Sequence, residues 1–113
     1  MIAAATDMYE ISESGLKVEI ELGGDSPETV ENADGWVELP NGEKWAATFL
    51  TYVEVGRILD RWSRTGEFLN GGYFVCSDLV MIRNPGAREM FNAVKDMVAT
   101  GSHKEHLTRV DSE

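Results

Sequence analysis

The stretch WVELPNGEKWAATFLT, residues 36–51, determines the centre of the predicted fold. Two apolar-rich runs flank Pro40-Asn41-Gly42-Glu43, and Asn-Gly supplies the positive φ angles that a tight hairpin needs. Trp36 and Trp45 stand on either side of this turn, where they could pair across the strands or where an exposed indole could anchor an interface. The stretch therefore predicts a β-hairpin that carries two tryptophans.

A helix is predicted directly after this hairpin. Thr51 is a candidate N-cap and Glu54 follows three residues later, which together make a capping box. We expect a helix from about Tyr52 to Thr65 that ends at Gly66. Its inward stripe has helical spacing and comprises Val55, Ile58, Leu59 and Trp62.

Strands are predicted before the hairpin. LKVEIEL, residues 16–22, alternates strictly between apolar and charged residues, as a half-buried strand does. Residues 9–13 could pair with it through a turn at Ser14-Gly15. Ser26-Pro27-Glu28 resembles a helix start, so one or two turns of helix are expected there.

Two further elements are predicted after the first helix. YFVCSDLVMI, residues 73–82, is apolar except for Ser77-Asp78, which indicates buried central strands, either one kinked strand or two short ones. Asn84-Pro85 begins a second helix that ends at Gly101. The apolar face of that helix comprises Ala87, Met90, Phe91, Val94, Met97 and Val98.

This order predicts the α+β class, with an antiparallel or mixed sheet of about five to six strands and two α-helices packed on one face. With 113 residues, of which 42% are hydrophobic, the chain can form one core. We expect a single domain over residues 1–101 and a polar, disordered tail over residues 102–113.

The composition also predicts where the protein works. The chain has no apolar run long enough to span a bilayer, and its first residues lack the features of a signal peptide. Cys76 is the single cysteine, which rules out an internal disulfide and fits a reducing compartment. We expect a cytoplasmic protein.

Negative charge is concentrated in the first 43 residues. They contain eleven carboxylates and one basic residue, Lys17, whereas the remaining seventy contain nine acids and nine bases. The whole formal net charge of −10 therefore belongs to the first part. Such a charge repels nucleic acid and anionic membranes, so the expected partner is a basic protein.

Residues typical of enzyme sites are sparse. His103 and His106, with Glu105 between them, lie in the expected tail, and such short metal motifs match by chance, so we assign no metal and no cofactor. Cys76 near Asp78 lacks a histidine to activate the thiol. Arg57, Arg61 and Arg64 fall on one helix face, where nearby carboxylates explain them as surface ion pairs. The sequence favours a protein without catalytic residues.

The leading hypothesis is therefore a non-enzymatic inhibitor that docks a basic partner. Complementary charge accelerates encounter and suppresses wrong partners. The expected partner-binding residues are the carboxylates of the acidic segment and one tryptophan: Glu19, Glu21, Asp25, Glu28, Glu31, Asp34 and Trp36. The alternative is a small-ligand or enzymatic pocket near Tyr73, Cys76 and Asp78. A homodimer remains open, because an exposed sheet edge could form one.

Three segments carry a resemblance to a group of proteins. LPNGEKWAATF (residues 39–49), RWSRTGE (61–67) and GGYFVCSDLVMI (71–82), followed by an amphipathic helix, resemble small bacterial immunity proteins, the partners of secreted toxins. The resemblance covers residues 36–101 and rests on pattern, so it assigns no functional residue. It implies a cytoplasmic inhibitor whose acidic patch masks a toxin, a nuclease or a defence complex, as an immunity protein or as a mimic of nucleic acid.

Overall fold

The computed structural model describes residues 7–110. Within these residues six strands form one open sheet: β1 (Met8–Glu13), β2 (Leu16–Glu21), β3 (Asn32–Glu38), β4 (Lys44–Thr51), β5 (Leu79–Ile82) and β6 (Thr108–Arg109). The helices are α1 (Tyr52–Thr65), α2 (Glu67–Gly71), α3 (Ala87–Thr100) and α4 (His103–His106). The predicted α+β class is confirmed.

The strand order is β1-β2-β3-β4-β5, and β6 also pairs with β4. All pairs are antiparallel except β4 with β5, which is parallel. β5 and β6 share the edge of β4 that faces away from β3, since β5 pairs with residues 48–51 and β6 with residues 45–46. The sheet is therefore mixed, as the sequence allowed.

The predicted turns and the cap of the first helix form where they were expected, but the second helix begins at Ala87 with Gly86 as its N-cap and not at Asn84-Pro85. The β3–β4 hairpin has Gly42 at φ +92°, and Ser14 and Gly15 both adopt positive φ between β1 and β2. Thr51 caps α1 by accepting a hydrogen bond from Glu54 N at 3.0 Å. The helix start predicted at Ser26 is a single turn, closed by hydrogen bonds from Thr29 N and Val30 N to Ser26 O.

The main core lies between one face of the sheet and α3. Met90, Phe91 and Val94 of α3 are fully buried against the inward side chains of the strands, among them Val18 and Phe49. The predicted apolar face of α3 is confirmed. α1 takes less part, because its only buried side chain is Ile58, which lies outside this core.

The segment 73–82 differs from its prediction. Only Leu79–Ile82 forms a strand, and residues 73–78 are an irregular connection in which Val75 is 66% exposed. Asp78 ends this connection by accepting a hydrogen bond from the Thr48 hydroxyl at 2.9 Å. The expectation of buried strand from Tyr73 onward is wrong, because an apolar run alone does not show whether other residues cover it.

The expectation of a disordered tail is wrong for residues 102–110. α4 and β6 return to the sheet, Leu107 is buried, and His103 is 3% exposed beside the Trp45 ring, with a centroid distance of 5.1 Å. The expectation that His103 lies in a tail outside the folded body is wrong for the same reason. Residues 111–113 of the expected tail lie outside the described residues. β6 is two residues long, too short to show periodicity in the sequence.

Candidate functional site

The outer face of the sheet, opposite α3, gathers carboxylates around one tryptophan. In the register of the strands, Glu10 of β1 lies opposite Glu19 of β2, Glu19 lies opposite Trp36 of β3, and Trp36 lies opposite Ala46 of β4. Directly opposite residues share a face, so this row runs across four strands. Trp36 is 39% exposed.

A second acidic row lies beside the first. Glu21 and Asp34 each follow the same alternation, two residues from Glu19 and Trp36 respectively. We call Glu10, Glu19, Glu21 and Asp34 together with Trp36 the acidic face. Strand alternation places these side chains on the outer face, because the intervening residues Ile20 and Gly35 face the core, and it places Lys17 and Glu38 on that face as well.

A hollow opens at one end of the acidic face. It measures about 430 Å³, and its lining includes four carboxylates, those of Glu21, Asp25, Asp34 and Glu54. No lysine or arginine lines it among residues 7–110. The hollow therefore favours a positively charged group on electrostatic grounds.

A cleft of about 240 Å³ lies at the Trp36 end of the same face. Lys17 and Lys44 line it together with Glu19, Glu38 and Val110, so its charges are mixed. Lys17 contacts Glu38 at 3.5 Å, and the negative charge of Glu38 is the main reason that the pKa of Lys17 is raised. The cleft combines an apolar indole wall with a rim of both charges.

The carboxylates of the acidic face form no salt bridge within the part of the chain that the structure describes, although the charges of Glu19 and Glu10 contribute to the raised pKa of Lys17. Over residues 7–110, no ion pair joins Glu19, Glu21 or Asp34 to a basic side chain. Like charges that lie opposite each other across strands destabilise a sheet, as at Glu10 and Glu19. A cationic partner would relieve this repulsion.

The structure brings together five of the seven residues predicted for partner binding. Glu19, Glu21, Asp34 and Trp36 belong to the acidic face, and Asp25 lines the hollow at its end. Glu28 is separate, because it lines a cleft of about 270 Å³ with Tyr9, Ile11 and the N-terminal residues of α3.

Glu31 serves the fold instead. Its Oε1 accepts hydrogen bonds from the Thr51 hydroxyl at 3.0 Å and from Arg57 Nη1 at 2.8 Å. Arg57 also donates to Glu54 Oε1 at 2.9 Å, and its hydrogen bonds to Glu54 and then to Glu31 raise its pKa. This network fixes the start of α1. Of the three arginines on that helix, Arg57 is the one that it holds in ion pairs.

Four residues on or beside this face were not predicted from the sequence: Glu10, Glu38 and the two lysines of the cleft. The signal for Glu10 was available, since a turn at Ser14-Gly15 pairs it with Glu19. The pairing of Glu38 with Lys17 depends on the register between β2 and β3, across a long connection. Short patterns along the chain do not determine such a register.

The residues proposed for the alternative pocket, Tyr73, Cys76 and Asp78, make contacts within the fold. Asp78 Oδ1 accepts from the Thr48 hydroxyl and, at 3.6 Å, from the Cys76 thiol. The Tyr73 ring packs on Phe68 with a centroid distance of 5.2 Å. These contacts anchor the connection between α2 and β5, and no group of three metal-ligating side chains forms among residues 7–110.

Comparison with family models, with curated proteins and with solved structures found no match. The acidic face and its physical chemistry therefore carry the functional argument. Within residues 7–110, none of the helices combines the length and the apolar character needed to cross a membrane.

Proposed function

We propose that this protein is a non-enzymatic inhibitor that docks a basic partner protein through the acidic face. The observation that carries the proposal is the cross-strand row Glu10, Glu19 and Trp36, which places one carboxylate beside an exposed indole and a second carboxylate one strand further along. Tryptophan at the centre of an interface is a frequent hot spot, and surrounding charge sets the rate and specificity of encounter.

Two further observations support a cationic partner. The hollow at the end of the face offers carboxylates without a basic residue in its lining, and Glu19, Glu21 and Asp34 lack ion pairs over residues 7–110. A partner arginine could stack on Trp36 while it forms a hydrogen-bonded pair with Glu19. The binding energy would then come from an apolar anchor and from the removal of repulsion within the sheet.

The partner class follows from chemistry. A protein that binds nucleic acid carries a basic surface, and an array of carboxylates on a rigid sheet can occupy that surface. The proposed target is therefore a nuclease toxin or a nucleic-acid-binding defence complex, with this chain as its immunity protein or decoy. The resemblance of residues 36–101 to immunity proteins agrees with this proposal and does not include Glu10, Glu19 or Glu21.

The test compares two triple variants with equal loss of charge. Glu19→Gln, Glu21→Gln and Asp34→Asn neutralise the acidic face, whereas Glu28→Gln, Glu89→Gln and Asp96→Asn neutralise exposed carboxylates elsewhere. Immobilised wild-type protein should retain a basic protein at low salt, and the control variant should retain it too. The acidic-face variant should lose it.

The association rate with the captured partner should then fall steeply as salt increases. Equal capture by both variants, or a rate insensitive to salt, would contradict the proposal. Competition with duplex DNA distinguishes the two versions of the proposal, an immunity protein and a decoy that mimics nucleic acid. DNA displaces the partner if the acidic face occupies the nucleic-acid site, and has no effect if the partner is blocked elsewhere.

A further inference from the structure

Exposed apolar side chains concentrate in a part of the chain that follows the acidic half. Of the eleven large hydrophobic residues exposed among residues 7–110, seven lie between positions 52 and 81: Tyr52, Val53, Phe68, Leu69, Tyr73, Val75 and Met81. We call residues 52–78, which comprise α1, α2 and the connection to β5, the arm. The arm buries one hydrophobic side chain, Ile58. Clustered apolar exposure on a small protein indicates an interaction surface.

The tip of the arm has an unfavourable backbone. Phe68, Leu69 and Asn70 are consecutive residues with φ of +48°, +55° and +57°, a left-handed turn without glycine. Residues other than glycine rarely adopt this form, because the Cβ then lies too close to the following carbonyl oxygen. This turn holds Leu69 81% exposed. The same turn packs the Phe68 ring against Trp62, with a centroid distance of 4.6 Å, so Leu69 is held in a fixed position at the tip of the arm.

A free strand edge lies at the base of the arm. β5 pairs with β4 on one side, and no strand within residues 7–110 pairs with its other side. Met81 of β5 is 52% exposed and lines a cleft of about 370 Å³ with Tyr52, Ile82 and Arg83. An unpaired apolar edge can accept another extended chain.

The distribution of charge along the chain favours a second copy of this protein as the partner of this surface. Residues 52–83 contain four acids and four bases, so they are neutral, whereas residues 1–43 carry the net charge of −10. Two copies of this chain would repel each other wherever their acidic segments approach, and least at the arm. Asp60, Arg61 and Arg64 on α1 form no ion pairs over residues 7–110, so each copy offers an acid and two bases for reciprocal pairs.

We infer that the arm and the free edge of β5 bind a second copy of this chain about a two-fold axis. A two-fold contact uses the same patch on both partners, and this patch is self-complementary in charge and apolar in composition. The acidic faces of both copies stay accessible in such a dimer, because β1, β2 and β3 lie beyond β4 from β5. The dimer would present two docking faces for basic partners.

Sedimentation velocity on the full chain tests this inference, over concentrations up to about 1 mM. Wild type should form a reversible dimer of twice 12.5 kDa. Leu69→Glu should raise the dissociation constant roughly tenfold or more. Leu69→Gly, which suits the left-handed turn and removes the side chain, should also raise it. Tyr9→Glu is the matched control, because Tyr9 is 38% exposed and lies outside both the arm and the acidic face.

The effect of salt concentration distinguishes dimer formation from the docking of a basic partner. Screening of the repulsion between two copies of charge −10 should strengthen the dimer, whereas docking of a basic partner weakens with salt. A wild-type monomer throughout the range would overturn the inference, and so would equal effects of Leu69→Glu and Tyr9→Glu. If a monomeric wild type loses a captured basic protein through Leu69→Glu, the arm belongs to that partner and the dimer is excluded.

Discussion

Trp36 and Trp45 belong to one hairpin and face opposite sides of the sheet. Trp36 lies opposite Ala46, and Trp45 lies opposite Val37, so the two indoles are one register position apart. Trp45 is 7% exposed, contacts His103 and donates weakly to Glu43 Oε1 at 3.4 Å, whereas Trp36 is 39% exposed in the acidic face. The expectation that they could pair across the strands is wrong. One tryptophan serves the core and the other is available to a partner.

This difference predicts unequal effects of two alanine substitutions. Trp45→Ala should lower the free energy of unfolding by about 3–5 kcal/mol, because it leaves a cavity in the core. Trp36→Ala should lower it by about 1 kcal/mol or less, the size of an exposed cross-strand contact. Urea denaturation followed by circular dichroism measures both values. Equal losses would show that Trp36 is also a core residue.

Gly35 should tolerate no side chain. A Cβ at this position would overlap the ring of Phe49, which is fully buried on the neighbouring strand. Gly35→Ala should therefore lower the free energy of unfolding by about 1–3 kcal/mol. Gly56→Ala is the control, since open space surrounds its Cβ position in α1, and it should raise stability by roughly 0.5–1 kcal/mol. The prediction fails if Gly35→Ala unfolds at the same urea concentration as wild type.

The hydroxyl group of Thr51 should contribute more to the free energy of unfolding than the shape of its side chain does. Thr51 is 1% exposed, accepts from Glu54 N and donates to Glu31 Oε1 at 3.0 Å. Thr51→Val keeps the volume and removes both bonds, so it should lower the free energy of unfolding by about 1–2 kcal/mol. Thr51→Ser retains the hydroxyl and should lose less. Thermal and urea unfolding measure the stability of both variants. A Thr51→Val variant more stable than Thr51→Ser would contradict the prediction.

Glu13 should make the free energy of unfolding depend on pH in the acidic range. Glu13 Oε2 accepts from Arg88 Nη1 at 2.7 Å, and this hydrogen bond is the main cause that lowers the pKa of Glu13 from its ordinary value of 4.5, with Lys95 at 3.4 Å contributing. Because the folded pKa is lowered, the stabilisation is complete above the unfolded value and is lost as the pH falls through the folded value.

Glu13→Gln should therefore be less stable than wild type at pH 7, and the difference should shrink in acid. Urea unfolding at a series of pH values measures this. Arg88→Ala should have a similar pH dependence, and the double variant should add little to either single change, because the two residues share one interaction. A difference that stays constant from pH 7 to strong acid would rule out this role for Glu13.

His103 should be replaceable by phenylalanine with a gain in stability. Neither Nδ1 nor Nε2 of this buried ring has a hydrogen-bond partner in the described part of the chain, and such unsatisfied groups cost about 1–3 kcal/mol each. His103→Phe keeps the edge contact with Trp45 and removes both groups, so the free energy of unfolding should rise by about 1 kcal/mol or more. His106→Phe, at an exposed ring, should change it little. A loss of stability in His103→Phe would indicate that a polar partner holds the ring.

The local elements followed from the sequence because short-range physics specifies them. Asn41-Gly42 determined the hairpin, Thr51 and Glu54 the start of α1, and Gly66 and Gly101 the ends of two helices. Alternation over residues 16–21 placed Glu19 and Glu21 on the outer face before any strand partner was known. Each of these predictions depends on residues within one turn or one strand.

Only the tertiary structure decided what lies across the sheet and what covers it. The row Glu10, Glu19 and Trp36 depends on the register of three strands, and the engagement of Glu31 by Arg57 joins residues that are distant in the chain. Burial of His103 depends on a return of the chain that two residues of β6 secure. The composition determined that the first 43 residues are acidic, whereas long-range pairing determined which of those carboxylates are free to meet a partner, because pairing energies between distant segments leave no local pattern.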